Sequence, residues 1–104
     1  MEKLERDGDV AVLYSPGFGA GWSTWAYGDN EERLIFCPRL VLAVLGESGE
    51  ERHQVVREEF PGQYHGGVDQ LQVCWVPKGS RFEIDEYDGS ELVRVLEPTD
   101  GFVA

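Results

Sequence analysis

Runs and alternations of apolar residues divide the chain into stretches with different periods. Val10 to Tyr14 (VAVLY) is a β-rich run closed by Ser15-Pro16-Gly17, and it reads as a strand. Arg33 to Phe36 (RLIF) reads as a second, shorter strand. From Pro38 the period changes. Leu40, Val41, Val44 and Leu45 fall at helical spacing, which predicts a helix over 38–45 with Pro38 at its first position and Gly46 as its stop. Ser48-Gly49-Glu50-Glu51 has the S-x-x-E capping pattern, so a second helix follows, with Val55, Val56 and Phe60 inward and Pro61-Gly62 ending it.

The last third returns to a period of two. Leu71, Val73 and Trp75 form one apolar face against Gln70, Gln72 and Cys74. Pro77-Lys78-Gly79 suits a type I turn with Pro second and Gly fourth. Arg81 to Tyr87 places Phe82 and Ile84 inward and Glu83 and Asp85 outward. Asp88-Gly89 is the strongest hairpin signal, because a type I′ turn needs positive φ at both central residues. Leu92 to Leu96 returns as the final strand. The expected fold class is α+β: an antiparallel sheet made of the N-terminal strand plus a C-terminal three-stranded meander, with two short central helices packed on one face. The length of 104 residues fits one domain, 1–104, with residues 1–8 expected to fray.

Between the first two elements lies PGFGAGWSTWAYGDN, where Gly17, Gly19, Gly21 and Gly28 interleave with Phe18, Trp22, Trp25 and Tyr27. So many glycines imply a shaped loop. It is not a phosphate cradle by sequence. A dinucleotide fingerprint needs Gly where Trp22 stands, and a Walker loop needs a lysine, of which there is none between Lys3 and Lys78. Ser23 in GWSTW misses the last glycine of a nucleophile elbow. His53 falls among charges on the second helix, and His65 reads as a turn residue in QYHGGVD. Cys37 and Cys74 read as reduced, buried small hydrophobes, and no paired Cys or His spacing suggests zinc. The expectation is a protein without catalytic residues, cofactor or metal.

Charge narrows the class of partner. Twenty acids against nine bases leave a net charge of −11. Direct binding to nucleic acid or to an anionic membrane is unfavourable for such a surface, whereas basic proteins are attracted and steered. The start, MEKLERDGDV, has no apolar core of an export signal, and the longest apolar run is Leu40 to Leu45, so the expected compartment is the cytoplasm. The acids gather at the C-terminal hairpin: Glu83, Asp85, Glu86, Asp88 and Glu91. These five are the candidate partner-binding residues, with Trp22 and Trp25 as aromatic anchors. Two other readings stand beside this one: self-association through the Gly/Trp loop in a structural or assembly accessory, and small-molecule binding by that loop with His65.

The segment Tyr14 to Trp25, with its PGFGAGWSTW core, resembles small proteins of bacteriophages and prophages. The resemblance continues through Gly66-Gly67, Trp75 to Gly79 (WVPKG) and Glu86 to Ser90 (EYDGS). It implies phage origin, and with it a role in host takeover or defence evasion, as in anti-CRISPR proteins that block the basic channels of Cas complexes. No functional residue carries over from it.

Overall fold

The computed structural model describes residues 2–26, 31–62, 66–96 and 102–104. The α+β class is as expected, but the connectivity differs. Strand β1 (Glu5–Arg6) pairs with β2 (Asp9–Tyr14) across Asp7-Gly8, whose φ values of 54° and 84° are the two positive values of a type I′ turn. The N-terminal segment expected to fray is therefore a hairpin. Lys3 fastens it further: its ammonium donates to the Val103 carbonyl at 2.7 Å and lies over the Phe36 ring.

Helix α1 (Glu31–Phe36) occupies the segment expected to be a short strand. The reason is what its three consecutive apolar residues must reach. Leu34 enters one core, while Ile35 and Phe36 enter another, and a helix can fan adjacent residues across a wide face. A strand would throw Ile35 to the face opposite both neighbours. Glu31 and Glu32 in the first turn favour the helical choice through the macrodipole. Helix α2 (Pro38–Leu45) follows with Pro38 at its start, and buries Leu40, Val41, Ala43 and Val44. Leu45, expected inward, is exposed, as is Leu42. Helix α3 (Gly49–Glu59) begins at Ser48, whose hydroxyl accepts the Glu51 N–H at 3.2 Å. The Arg52 guanidinium then ties α3 to the following 3₁₀ turn (Val68–Gln70) by donating to the carbonyls of Val68, Asp69 and Leu71.

The expected meander is split between two sheets. Strand β3 (Gln72–Pro77) pairs with β2, in register Val12↔Cys74, to give the order β1-β2-β3. Strands β4 (Arg81–Tyr87), β5 (Ser90–Leu96) and β6 (Phe102–Val103) form a second antiparallel sheet in the order β5-β4-β6. Residue pattern explains the split. Val73 and Trp75 pack on one cluster while Cys74 and Val76 pack on the other, so β3 is covered on both faces. The same holds for β2, with Ala11 and Leu13 on one side and Val10 and Val12 on the other. The turn between sheets is Pro77–Ser80, one residue later than the sequence suggested, with Gly79 at φ 86°.

The result is three layers: α2 and α3, then the first sheet, then the β4-β5 hairpin with β6. Trp22 and Phe60 meet edge-on in the first core, at 6.4 Å between ring centroids. In the second, Phe82 meets Phe36 edge-on and Phe102 at a tilt. Because Phe82 and Ile84 point inward from β4, the alternate residues of the second sheet form an outer face. The radius of gyration is 12.7 Å, against about 13 Å expected for this length.

Candidate partner-binding face

The outer face is built around the β4-β5 hairpin. Asp88 and Gly89 turn it with φ values of 49° and 84°. The Gly/Trp loop lies directly on this turn. A Cβ at Gly89 would sit 2.7 Å from the Ala20 nitrogen and 2.8 Å from that of Gly19, so the close approach needs glycine. Gly19 N–H donates to the Asp88 carbonyl, and the Ser90 hydroxyl donates to the Pro16 carbonyl at 2.8 Å.

Glu91 completes the attachment from within. Its carboxylate is 2% exposed and accepts four hydrogen bonds from the loop. Oε1 takes the Ser15 N–H at 2.9 Å. Oε2 takes the N–H groups of Trp22 and Thr24 at 2.8 and 3.1 Å and the Thr24 hydroxyl at 2.6 Å. The Ser15 N–H and Glu91 N–H face each other's residues, since Glu91 N–H donates to the Ser15 carbonyl at 2.7 Å. Several donors of the loop are thus committed inside the fold, where a phosphate cradle would present them to a ligand. The spaces beside Gly17 and Gly21 are filled by Gln70 and by the Trp25 ring. The loop is packed, not hollow.

What the loop presents outward is Phe18, 75% exposed. It stands beside Tyr87 (73%) and Leu92 (62%), and the three line a cavity of about 250 Å³ with Asp85, Glu86 and Ser90. Around it the charge is negative. Arg94 on β5 is held by Glu83 and by Asp85 Oδ2, the latter at 3.1 Å from Nε. Glu86 Oε2 accepts the Gly89 N–H at 2.8 Å. The hairpin thus carries four exposed or half-exposed carboxylates, Glu83, Asp85, Glu86 and Asp88, against two guanidinium groups, Arg81 and Arg94.

Two of the seven candidate residues belong elsewhere. Glu91 is an interior clamp, and Trp22 is 1% exposed with its indole N–H donating to the Leu34 carbonyl at 2.9 Å. Neither is placed to touch a partner. A strand predicted to start at Leu92 leaves Glu91 beside the turn, and nothing local marks a glutamate as the acceptor for a loop some seventy residues away. Trp25 is exposed at the loop margin. A self-association surface made of both tryptophans loses one of them to the core. His65, the partner invoked for small-molecule binding, lies outside the described residues.

Phe18, Tyr87 and Leu92 were missed by sequence reasoning, and for Leu92 the signal existed. Leu92 and Val93 are adjacent in a strand, so one of them has to face outward. Phe18 had no such signal, since the direction of a loop side chain follows from where the loop is pinned.

Two features away from this face bear on chemistry. Cys37 and Cys74 are free thiols, each half-buried. Burial pushes the Cys37 thiol up, aided by the charge of Glu59 against the N–H groups of Leu40 and Arg39 and the Arg33 cation; burial alone raises Cys74. Among the described residues no group of three or more His, Cys, Asp or Glu is placed to hold a metal ion, and no helix is long and apolar enough to cross a membrane. Compared with known protein families, curated proteins and solved structures, the chain matches none.

Proposed function

We propose that this chain is a binding domain whose outer hairpin face docks on a basic surface of a nucleic-acid-handling protein. In the phage setting that its sequence resemblance implies, that partner is a component of a host defence complex such as a Cas effector. The observation that carries this reading is the juxtaposition of exposed Phe18, Tyr87 and Leu92 with Asp85, next to the hairpin-tip acids Glu86 and Asp88, on a chain of net charge −11. Apolar anchors supply the desolvated centre of an interface, and the surrounding charge supplies steering and orientation. Glu83, Asp85, Glu86 and Asp88 take the charged role, and Trp25 extends the aromatic surface along the loop.

The test is binding to purified Cas effector complexes, measured by biolayer interferometry at low and high salt. Reversal of Asp85, Glu86 and Asp88 to lysine together is expected to weaken capture at least about tenfold, since a like charge set against a basic partner costs several kcal/mol. Raising the salt weakens the unmodified chain in the same direction. Affinity unchanged by both the reversals and the salt overturns the reading.

A further inference from the structure

Resting on the proposed docking face, we infer that the cavity between Phe18, Tyr87 and Leu92 is a cradle for one arginine side chain of the partner. Its chemistry has two halves that suit a single kind of occupant. The walls are apolar: two aromatic rings and a leucine, all largely exposed, border an open depression of about 250 Å³, room for one long side chain and far too little for a helix. The rim is anionic: Asp85, which shares the outer face with Tyr87 and Leu92, lines the same cavity. A purely apolar side chain would desolvate the Asp85 carboxylate while offering it no donor. A short cation would leave the rings uncovered. An arginine places its methylene stem along Leu92, its guanidinium plane against a ring face, and its N–H fork on the Asp85 carboxylate.

The Asp85 carboxylate has capacity for this. Arg94 engages it through Oδ2, and Oδ1 is the oxygen the incoming guanidinium would meet. The face also shows that it accommodates a guanidinium. Arg94 already lies on it, with Nε toward Asp85 and a terminal nitrogen toward Glu83. The cradle lies next to that arrangement, nearer the hairpin tip, sharing Asp85 and adding the ring of Tyr87.

Both walls come from outside the core, so their removal leaves the fold in place. Phe18 projects from the packed loop and Tyr87 from the end of β4. The experiment uses the full chain, labelled with ¹⁵N, titrated with a Gly-Gly-Arg-Gly-Gly peptide and with the same peptide carrying citrulline, which keeps the shape and removes the charge. Saturable shifts at Gly19, Asp88 and Leu92 with the arginine peptide, at least about tenfold weaker with citrulline and in Phe18→Ala or Tyr87→Ala, are expected. Equal shifts from both peptides, or shifts centred away from these amides, overturn the cradle. Binding of the large basic partner separates the two claims. If Phe18→Ala and Tyr87→Ala leave that binding intact while the charge reversals abolish it, the docking face stands and the cradle falls.

Discussion

Removing the Glu91 carboxylate strips the Gly/Trp loop of its interior acceptor. In Glu91→Ala the N–H groups of Ser15, Trp22 and Thr24 lose their acceptor, and the first two are buried. Orphaning a buried donor costs about 1–3 kcal/mol, so the two buried groups alone account for about 2–6 kcal/mol. The total stability of a domain is about 5–15 kcal/mol, and the variant is expected to be marginal or unfolded. Glu91→Gln is the sharper comparison because it keeps the shape. Its carbonyl can remain at the three-donor position of Oε2, but its NH₂ must then face the Ser15 N–H, donor against donor. One hydrogen bond is lost and one repulsion gained, for about 2 kcal/mol. Urea unfolding followed by tryptophan fluorescence reads both, with Asp88→Asn as a control that tolerates positive φ and should stay within about 0.5 kcal/mol. If both Glu91 variants fall within about 0.5 kcal/mol of the parent, the carboxylate is not the clamp argued here.

Three further outcomes follow from single features. Gly89→Ala should destabilise more than Gly8→Ala: both have φ 84°, worth about 1–2 kcal/mol in an alanine, but only Gly89 is pressed by Gly19 and Ala20, and equal midpoints in urea would refute that contact. Iodoacetamide at mildly alkaline pH should modify Cys37 and Cys74 more slowly in the folded chain than in urea, because a raised thiol value means less thiolate; equal rates by mass spectrometry would contradict the burial of both. Hydrogen bonds from Arg39, and next from Gln54, hold the Glu58 carboxyl below its usual range, so its contribution is present above about 4.5 and lost as pH falls through the lower folded value. The gap in urea midpoint between the parent chain and Arg39→Ala should accordingly narrow on acidification, and a gap that widens would reverse the assignment.

Local chemistry was legible where one residue type satisfies one backbone need. Pro38 at the start of α2, Ser48 capping α3 and Asp88-Gly89 turning the hairpin all stand where the sequence placed them. The same rule, applied to Asp7-Gly8, would have found the first hairpin; the surrounding charges hid it. RLIF shows the limit of reading propensity over four residues, because which core each residue must reach is a property of the assembled layers. The division of the C-terminal strands had a visible cue in Cys74 and Val76, apolar on the face that a solvent-backed strand would keep polar. The acidic hairpin was legible as a charged surface. Its apolar centre was not, because Phe18 reaches Tyr87 only through the packing of a loop from the first quarter of the chain onto the last third.

That packing gives the face a particular place in the folding sequence. The hydrogen bonds of Glu91 to the loop span 76, 69 and 67 positions along the chain. Contacts of such high order are formed late, once the entropy of closing the intervening chain has been offset elsewhere. The β4-β5 hairpin is local and can form by itself, carrying Tyr87, Leu92 and the carboxylates, but Phe18 arrives only when the loop docks. A chain whose N-terminal loop has not docked therefore bears the charge of this surface without the Phe18 wall, and the face is complete only in the fully folded molecule.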